Sequence, residues 1–173
     1  MKSIKTFFLL AVVSIFSVNV SAQTSDIVDV AVGSKDHSTL VAAVTAADLV
    51  ATLKSKGPFT VFAPTNAAFA KLPAGTVETL VKPENKAMLA GILTYHVVAG
   101  NIDAEAVLKA IKKGKGKAVL TTVAGGKLTA TIENGKVILT DENGGKSTVV
   151  ATDLKATNGI IHVIDAVVLP VAK

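Results

Sequence analysis

The chain has no cysteine, no tryptophan and no arginine among its 173 residues. The first absence removes disulfides, thiolate nucleophiles and thiolate metal ligands together, so stability has to come from packing. The last leaves all 18 basic residues as lysine. Lysine is a point charge without the planar fork that reads guanine or clasps phosphate bidentately, which counts against a nucleic-acid partner. Aromatic residues make up only 4%. Beyond residue 22 they are Phe59, Phe62, Phe69 and Tyr95, and the three phenylalanines fall in one stretch, Gly57 to Pro73. The core is expected to be densest there.

What is present sorts into a leader and one domain. Lys2 and Lys5 precede an apolar run from Phe7 to Val18, and Val20-Ser21-Ala22 ends in small residues. This pattern predicts a secretory signal peptide over 1–22, cleaved before Gln23. No second long apolar run follows, so no integral membrane segment is expected after cleavage, and the expected location is extracellular or periplasmic. Residues 23–173 are half apolar or nearly so, enough for one core and one globular domain. Loss of Lys2 and Lys5 lowers the formal charge from +5 to +3, a mildly basic product. Beyond the leader no Asn-x-Ser/Thr sequon occurs, so glycosylation at asparagine is not expected.

Order along the chain predicts an α+β domain. Ile27, Val30 and Ala31 form a helical stripe broken at Gly33; Ser38 or Thr39 is expected to cap a second helix with Leu40, Val41 and Val44; a third runs through Leu53. In GPFTVFAPTNAAFAKLP (57–73) the periodicity changes from two to helical. Phe59, Val61 and Ala63 alternate as a strand, Pro64 ends it, Thr65 or Asn66 caps a helix, and Phe69 and Leu72 recur on that helix. Thr76 and Pro83 open two further helices, the second through Leu93. Thr94 to Val98 reads as a strand, and Asp103 caps a helix carrying Val107, Leu108 and Ile111. The remainder is strand and turn: 118–123, 128–132, 137–140, 147–151 and 160–169, separated by Gly125-Gly126, Asn134-Gly135, Asn143-Gly144-Gly145 and Asn158-Gly159. Asn-Gly pairs between β-branched runs signal hairpins, because both residues tolerate positive φ. A meander of antiparallel strands follows.

Residues able to carry chemistry are few. His96 and His162 sit in strand patterns and read as hydrogen-bonded structural histidines, while His37 is expected at the surface. No pair of histidines has metal-ligand spacing, and no nucleophile stands in a recognisable elbow. Asp141-Glu142 reads as a solvated turn tip. Lys112, Lys113, Lys115 and Lys117 form the one charge cluster; it reads as a flexible, solvated loop after a helix C-terminus, with binding to anionic surfaces as the functional alternative. No catalytic residue, metal or cofactor is expected.

Three stretches, GPFTVFAPTNAAFAKLP at 57–73, ILTYHVVAG at 92–100 and ATNGIIHVIDAVVLP at 156–170, stand in a particular order. Together they closely resemble the first homology block, Tyr-His motif and second homology block of the fasciclin domain (FAS1, or BIgH3). The resemblance covers residues 24–171. It implies an α+β fold in which an antiparallel β-wedge packs against several short α-helices, and a non-enzymatic adhesion or interaction module of the small secreted bacterial kind. Tyr95 and His96 match the Tyr-His motif, flanked by Ile92, Leu93, Val97 and Val98, that animal relatives are reported to use for integrin-dependent adhesion. Asp153-Leu154 occupies the place of an Asp-Ile adhesion pair, with leucine for isoleucine. Phe62, Pro64, Thr65, Asn66 and Phe69 of the first block and Asn158, Gly159 and His162 of the second are expected to be structural. The implied partner is a cell-surface or matrix protein or a polysaccharide, bound by a monomer. The alternative is an extracellular carrier holding a lipid, pigment or glycan between helices and sheet.

Overall fold

The computed structural model describes residues 24–171. The leader expected over 1–22 lies outside the described residues.

Short helices come first. Helix α1 (Ile27–Val32) opens with a reciprocal capping box between Asp26 and Asp29 and stops at Gly33. A 3-10 turn at Lys35–His37 leads into α2 (Ser38–Ala46), and α3 (Val50–Leu53) follows. Valine and threonine are poor helix formers, so these helices depend on the surface they cover. Strand β1 (Phe59–Pro64) precedes α4 (Asn66–Ala70), whose cap is the Thr65 hydroxyl accepting from the Ala68 amide at 3.2 Å. Then come α5 (Thr76–Leu80), a 3-10 turn at Pro83–Asn85, α6 (Lys86–Tyr95), β2 (Val97–Ala99) and α7 (Ala104–Lys113), the last capped by Asp103 accepting from Ala106 at 2.7 Å. Five strands finish the domain: β3 (Lys117–Thr121), β4 (Lys127–Glu133), β5 (Lys136–Thr140), β6 (Lys146–Ala156) and β7 (Gly159–Ile164).

The strands form one seven-stranded sheet in the order β2-β1-β7-β6-β5-β4-β3. Neighbours are antiparallel except β1 and β7, which run parallel from the pair Phe59/Gly159 to the pair Pro64/Ile164. The sheet curls until its ends meet: the Val123 amide donates to the Val97 carbonyl at 2.7 Å, and Val98 bridges Thr122. This is the wedge. The neighbouring strands β1 and β7 are buried on both faces, and alternation sends their side chains into two cores. Val61, Ala63 and Ile161 point to the helical layer of α1, α2, α4 and α6. Phe62 and Ile164 point into the wedge interior with Tyr95, Leu128, Leu139 and the inner face of α7. Truncating one such large buried side chain to alanine costs about 2–5 kcal/mol.

Four local expectations change. Thr94 and Tyr95 are the last turn of α6, and β2 starts only at Val97. Thr94 to Val98, with its threonine, tyrosine and two valines, favours a strand locally, but the apolar spacing of Leu89, Ile92 and Leu93 carries the helix on, and its last turn drives Tyr95 into the wedge. Helix α2 has no side-chain cap of its own from Ser38 or Thr39. Strand β6 extends to Ala156 through two bulges, which keeps Asp153 and Leu154 within the sheet. Strand β7 ends at Ile164, because Asp165 turns aside to accept the Thr148 amide at 2.7 Å.

Candidate interaction site

The two motif residues expected to make contact at 95 and 96 are buried. Tyr95 is 0% exposed; its hydroxyl donates to the Lys127 carbonyl at 2.7 Å and accepts from the Glu142 amide at 3.3 Å. It thereby clasps the β3–β4 and β5–β6 turns together. Burial raises its pKa, aided by the nearby carboxylates of Glu142 and Asp141, so the phenol stays neutral. Gly126 lies flat against the ring, where any Cβ would collide with Tyr95 Cε2.

His96 caps the C-terminal end of α6 and is 2% exposed. Nδ1 lies 2.9 Å from the Ile92 carbonyl, which can only accept, so this nitrogen carries the proton. Nε2 then accepts the Val168 amide at 3.2 Å. Both nitrogens are spent on backbone, and burial pulls the pKa down to about 4. Neutral His96 therefore fastens the chain beyond β7 to the helix that leads into the wedge.

His162 works on the opposite flank. Nε2 donates to the Ile102 carbonyl at 2.8 Å, Nδ1 accepts the Asp153 amide at 3.4 Å, and the ring stacks on Phe62 with centroids 5.5 Å apart. Asp153 has φ +60° within the β6 bulge, and its carboxylate accepts the Ala104 amide at 2.8 Å. Thr60 completes this thread, donating to the Gly100 carbonyl and accepting from the Ile102 amide. Together Thr60, His162 and Asp153 fix the entry to α7. Of the expected contact pair, Asp153 is thus half-buried and occupied, whereas Leu154 is 40% exposed.

Two asparagines join the layers. Asn66 receives the Thr39 amide at 2.9 Å and donates to the Lys35 carbonyl, so it caps α2 from outside the helix. Asn158 receives the Ile27 amide at 3.0 Å and donates to the carbonyls of Leu53 and Ser55, tying the start of α1 to the end of α3. Gly159 lies so close to the Phe59 carbonyl that a Cβ would overlap it. Phe62, Pro64 and Phe69 are buried, and Thr65 is the cap described above.

Two residues depart from expectation. His37 is buried; Nδ1 meets the Ser34 hydroxyl at 2.8 Å, Nε2 makes no close hydrogen bond among the described residues, and burial lowers its pKa against the opposing pull of Asp36 and of the Ala63 backbone. Asp141 is no solvated tip. It is buried and accepts the amides of Asn143, Gly145 and Leu169, which pins the C-terminal segment to the β5–β6 turn. The sequence signal was Gly145, whose hydrogen leaves room for that carboxylate. The lysine run is exposed and joins the end of α7 to the start of β3, as described below.

Two hollows are available to a partner. A polar cleft of about 730 Å³ is lined by Lys54–Pro58 and Lys155–Ile160 together with Asp26, Asn101 and Asp103. An apolar cavity of about 60 Å³ lies beneath α1, α2 and α3, lined by Val28, Leu40, Val44, Leu53, Val61 and Leu93 among others. Among the described residues no cluster of three His, Asp or Glu could hold a metal, and no helix is long and apolar enough to cross a membrane.

A wedge-shaped sheet under a layer of short helices, with its polar motif residues spent on its own backbone, defines an α+β scaffold whose free groups lie at its surface. A fasciclin-domain family model matches residues 35–170, and the chain belongs to that family. The protein sll1483 of Synechocystis is 52% identical over 144 residues, covering 83% of this chain and 73% of the relative. The immunogenic protein MPB70 of Mycobacterium bovis is 38% identical over 125 residues, 72% of this chain and 56% of its own. Among solved structures, a FAS1 domain pair from the insect cell adhesion molecule fasciclin I superposes with a TM-score of 0.72 at 20% identity, covering 87% of this chain and 52% of that one. That likeness shows the fold.

Proposed function

We propose that the chain is an exported, non-catalytic, monomeric fasciclin module that attaches to a cell-surface or matrix partner, protein or polysaccharide, through the polar cleft and the neighbouring Leu154. The observation that carries this reading is the division of labour among the motif residues. Tyr95, His96, His162 and Asp153 are all committed to backbone groups, while Lys56, Asn101 and Thr157 line an open cleft and Leu154 protrudes one residue before its Lys155 wall. Tyr95 and His96 then serve adhesion indirectly, by holding the scaffold. Adhesive relatives, of which fasciclin I is described as a cell adhesion molecule, support the class of function. The leader over 1–22 would deliver the module.

The test is binding of the chain from Gln23 onward to immobilised cells, matrix proteins and polysaccharides, with melting recorded for every variant. Lys56→Ala, Asn101→Ala and Leu154→Ala should weaken saturable binding without lowering the melting temperature. Loss that appears only in variants that also melt early would remove the cleft from the reading.

A second reading rests on the apolar cavity. The hollow is lined by aliphatic side chains, but at about 60 Å³ it takes a lipid or pigment only if its roof of short helices, pinned mainly at Asn66 and Asn158, lifts. Organic extraction of protein purified from its native source should then release a lipid or pigment; an empty extract leaves attachment through the cleft as the function.

A further inference from the structure

The lysine run at 112–117 is a built feature. Helix α7 ends in a closed turn: Gly114 donates to the Ala110 carbonyl at 2.9 Å, Lys115 to Lys112 at 3.2 Å, Gly116 to Ile111 at 2.9 Å and Lys117 to Gly114 at 3.4 Å. Lys115 and Gly116 hold φ of +55° and +99°, and a Cβ at Gly114 would run into the Lys117 carbonyl. Strand β3 starts at Lys117 itself. The turn thus holds Lys112 and Lys113 at the end of α7, Lys115 within the turn and Lys117 at the start of β3, and all four are exposed. Among the described residues none of the four pairs with a carboxylate, whereas Lys54, Lys71, Lys86, Lys109 and Lys146 each do.

The surroundings are equally one-sided. From Ala106 to Ile132 the sequence contains no Asp or Glu, although it contains Lys109 and Lys127 besides the four. Across the sheet, Lys117 faces Thr131 and then Ile138, and Val119 faces Thr129 and then Thr140, all uncharged. Two of the aliphatic side chains that protrude in this region stand next to the lysines in the chain. Leu108, one helical turn before Lys112, is 37% exposed, and Val119, two residues after Lys117 on the same strand face, is 56% exposed.

We propose that this platform is a docking surface for an anionic lipid bilayer, independent of the polar cleft. Its chemistry selects among partners. A bilayer presents diffuse negative charge that ammonium groups meet without bidentate geometry, and its headgroup region accepts isolated aliphatic side chains. A nucleic acid or a neutral sugar chain would be held by exposed rings or guanidinium groups, and the chain has no arginine and keeps Tyr95 fully buried. Lys112 and Lys113 also balance the negative end of the α7 dipole, but Lys115 and Lys117 lie beyond the helix and have no such duty. The platform would hold an exported molecule against the membrane it has just crossed.

Co-sedimentation of the chain from Gln23 onward, which contains every described element, with mixed phosphatidylglycerol–phosphatidylcholine vesicles tests this. Binding is expected to the mixed vesicles and not to phosphatidylcholine alone, and to fade as salt shortens the Debye length from about 30 to about 8 Å. Replacing Lys115→Gln and Lys117→Gln together should weaken it roughly thirtyfold, at about fivefold per lysine near the surface. Removing the same charge elsewhere, with Lys71→Gln and Lys82→Gln, should change it less than about twofold, screening leaving only near charges effective. Leu108→Ser with Val119→Ser should weaken binding while leaving its salt dependence intact. Failure to bind mixed vesicles, or equal losses from the two lysine pairs, overturns the proposal. So does binding to soluble acidic polysaccharide in preference to vesicles.

Discussion

Lowering the pH from about 7 to about 4.5 puts a proton on His96 in the unfolded chain but not in the folded one. In the native protein Nδ1 already donates to Ile92 and Nε2 already accepts from Val168. A second proton would face the Val168 N–H with a positive charge in a dry site, which is why burial takes the pKa from 6.5 to about 4, the attraction of Asp141 notwithstanding. Below 6.5 the unfolded state binds a proton that the native state refuses until about 4. The contribution is therefore fully present above 6.5 and is lost as pH falls toward 4. Its full size is about 3 kcal/mol, against a total of about 5–15 kcal/mol for a typical domain. Buried His37, lowered in the same direction, adds to the effect. Asp26 and Asp165 do not: burial pushes each up, hydrogen bonds and lysines pull each further down, and their stability is lost only as pH falls below about 3.8. Urea unfolding at a series of pH values reads this directly. The midpoint should drop by about 1–3 M between about pH 7 and 4.5, given a slope near 1–3 kcal/mol/M. His96→Gln should be weaker than the parent at pH 7 yet lose less between these pH values. A parent midpoint that stays flat, or a variant that falls as steeply as the parent, would refute the assignment of a neutral, buried His96.

Other substitutions probe the joints between layers. Asn158→Ala strands the Ile27 amide and the Leu53 and Ser55 carbonyls, and should cost about 2–4 kcal/mol in urea unfolding. Tyr95→Phe keeps the ring and removes the two hydroxyl bonds, so a loss of about 1–2 kcal/mol is expected, against about 3–5 for Tyr95→Ala, which also empties the wedge. If Tyr95→Phe abolished partner binding at unchanged stability, the indirect role given to Tyr95 would fail.

Much of the fold was legible because it rests on local signals. The Asn134-Gly135 and Asn143-Gly144 turns, the Thr65 and Asp103 caps and the break at Gly33 are written in adjacent residues, and each stands where expected. What was not legible depends on distant partners. Thr94 to Val98 has strand propensity, and only packing against the helical layer and the wedge decides that Tyr95 finishes a helix. Helix α2 takes its cap from Asn66, 27 residues beyond Thr39. The burial of Asp141 becomes visible only when the Leu169 amide arrives from the end of the chain. The cleft has the same character. Its walls, near 56 and 156, share no local pattern and meet only because β1 lies beside β7.

That parallel pair also sets the order in which the molecule can come into being. Strand β1 has only the three-residue β2 on one side until Gly159–Ile164 arrives on the other. With no completed sheet beneath it, the layer of valine-rich helices has nothing to cover, and with β7 missing neither core can close. A contact spanning some hundred residues is slow to form and is made late. A ribosome or a translocation channel feeding this chain from its N-terminus therefore handles a polypeptide whose two cores stay open until β7 is in reach, with only the local β3–β6 hairpins able to pair earlier. Late closure of this kind suits a chain that is to be threaded through a narrow pore, since both cores stay open until Gly159–Ile164 has emerged.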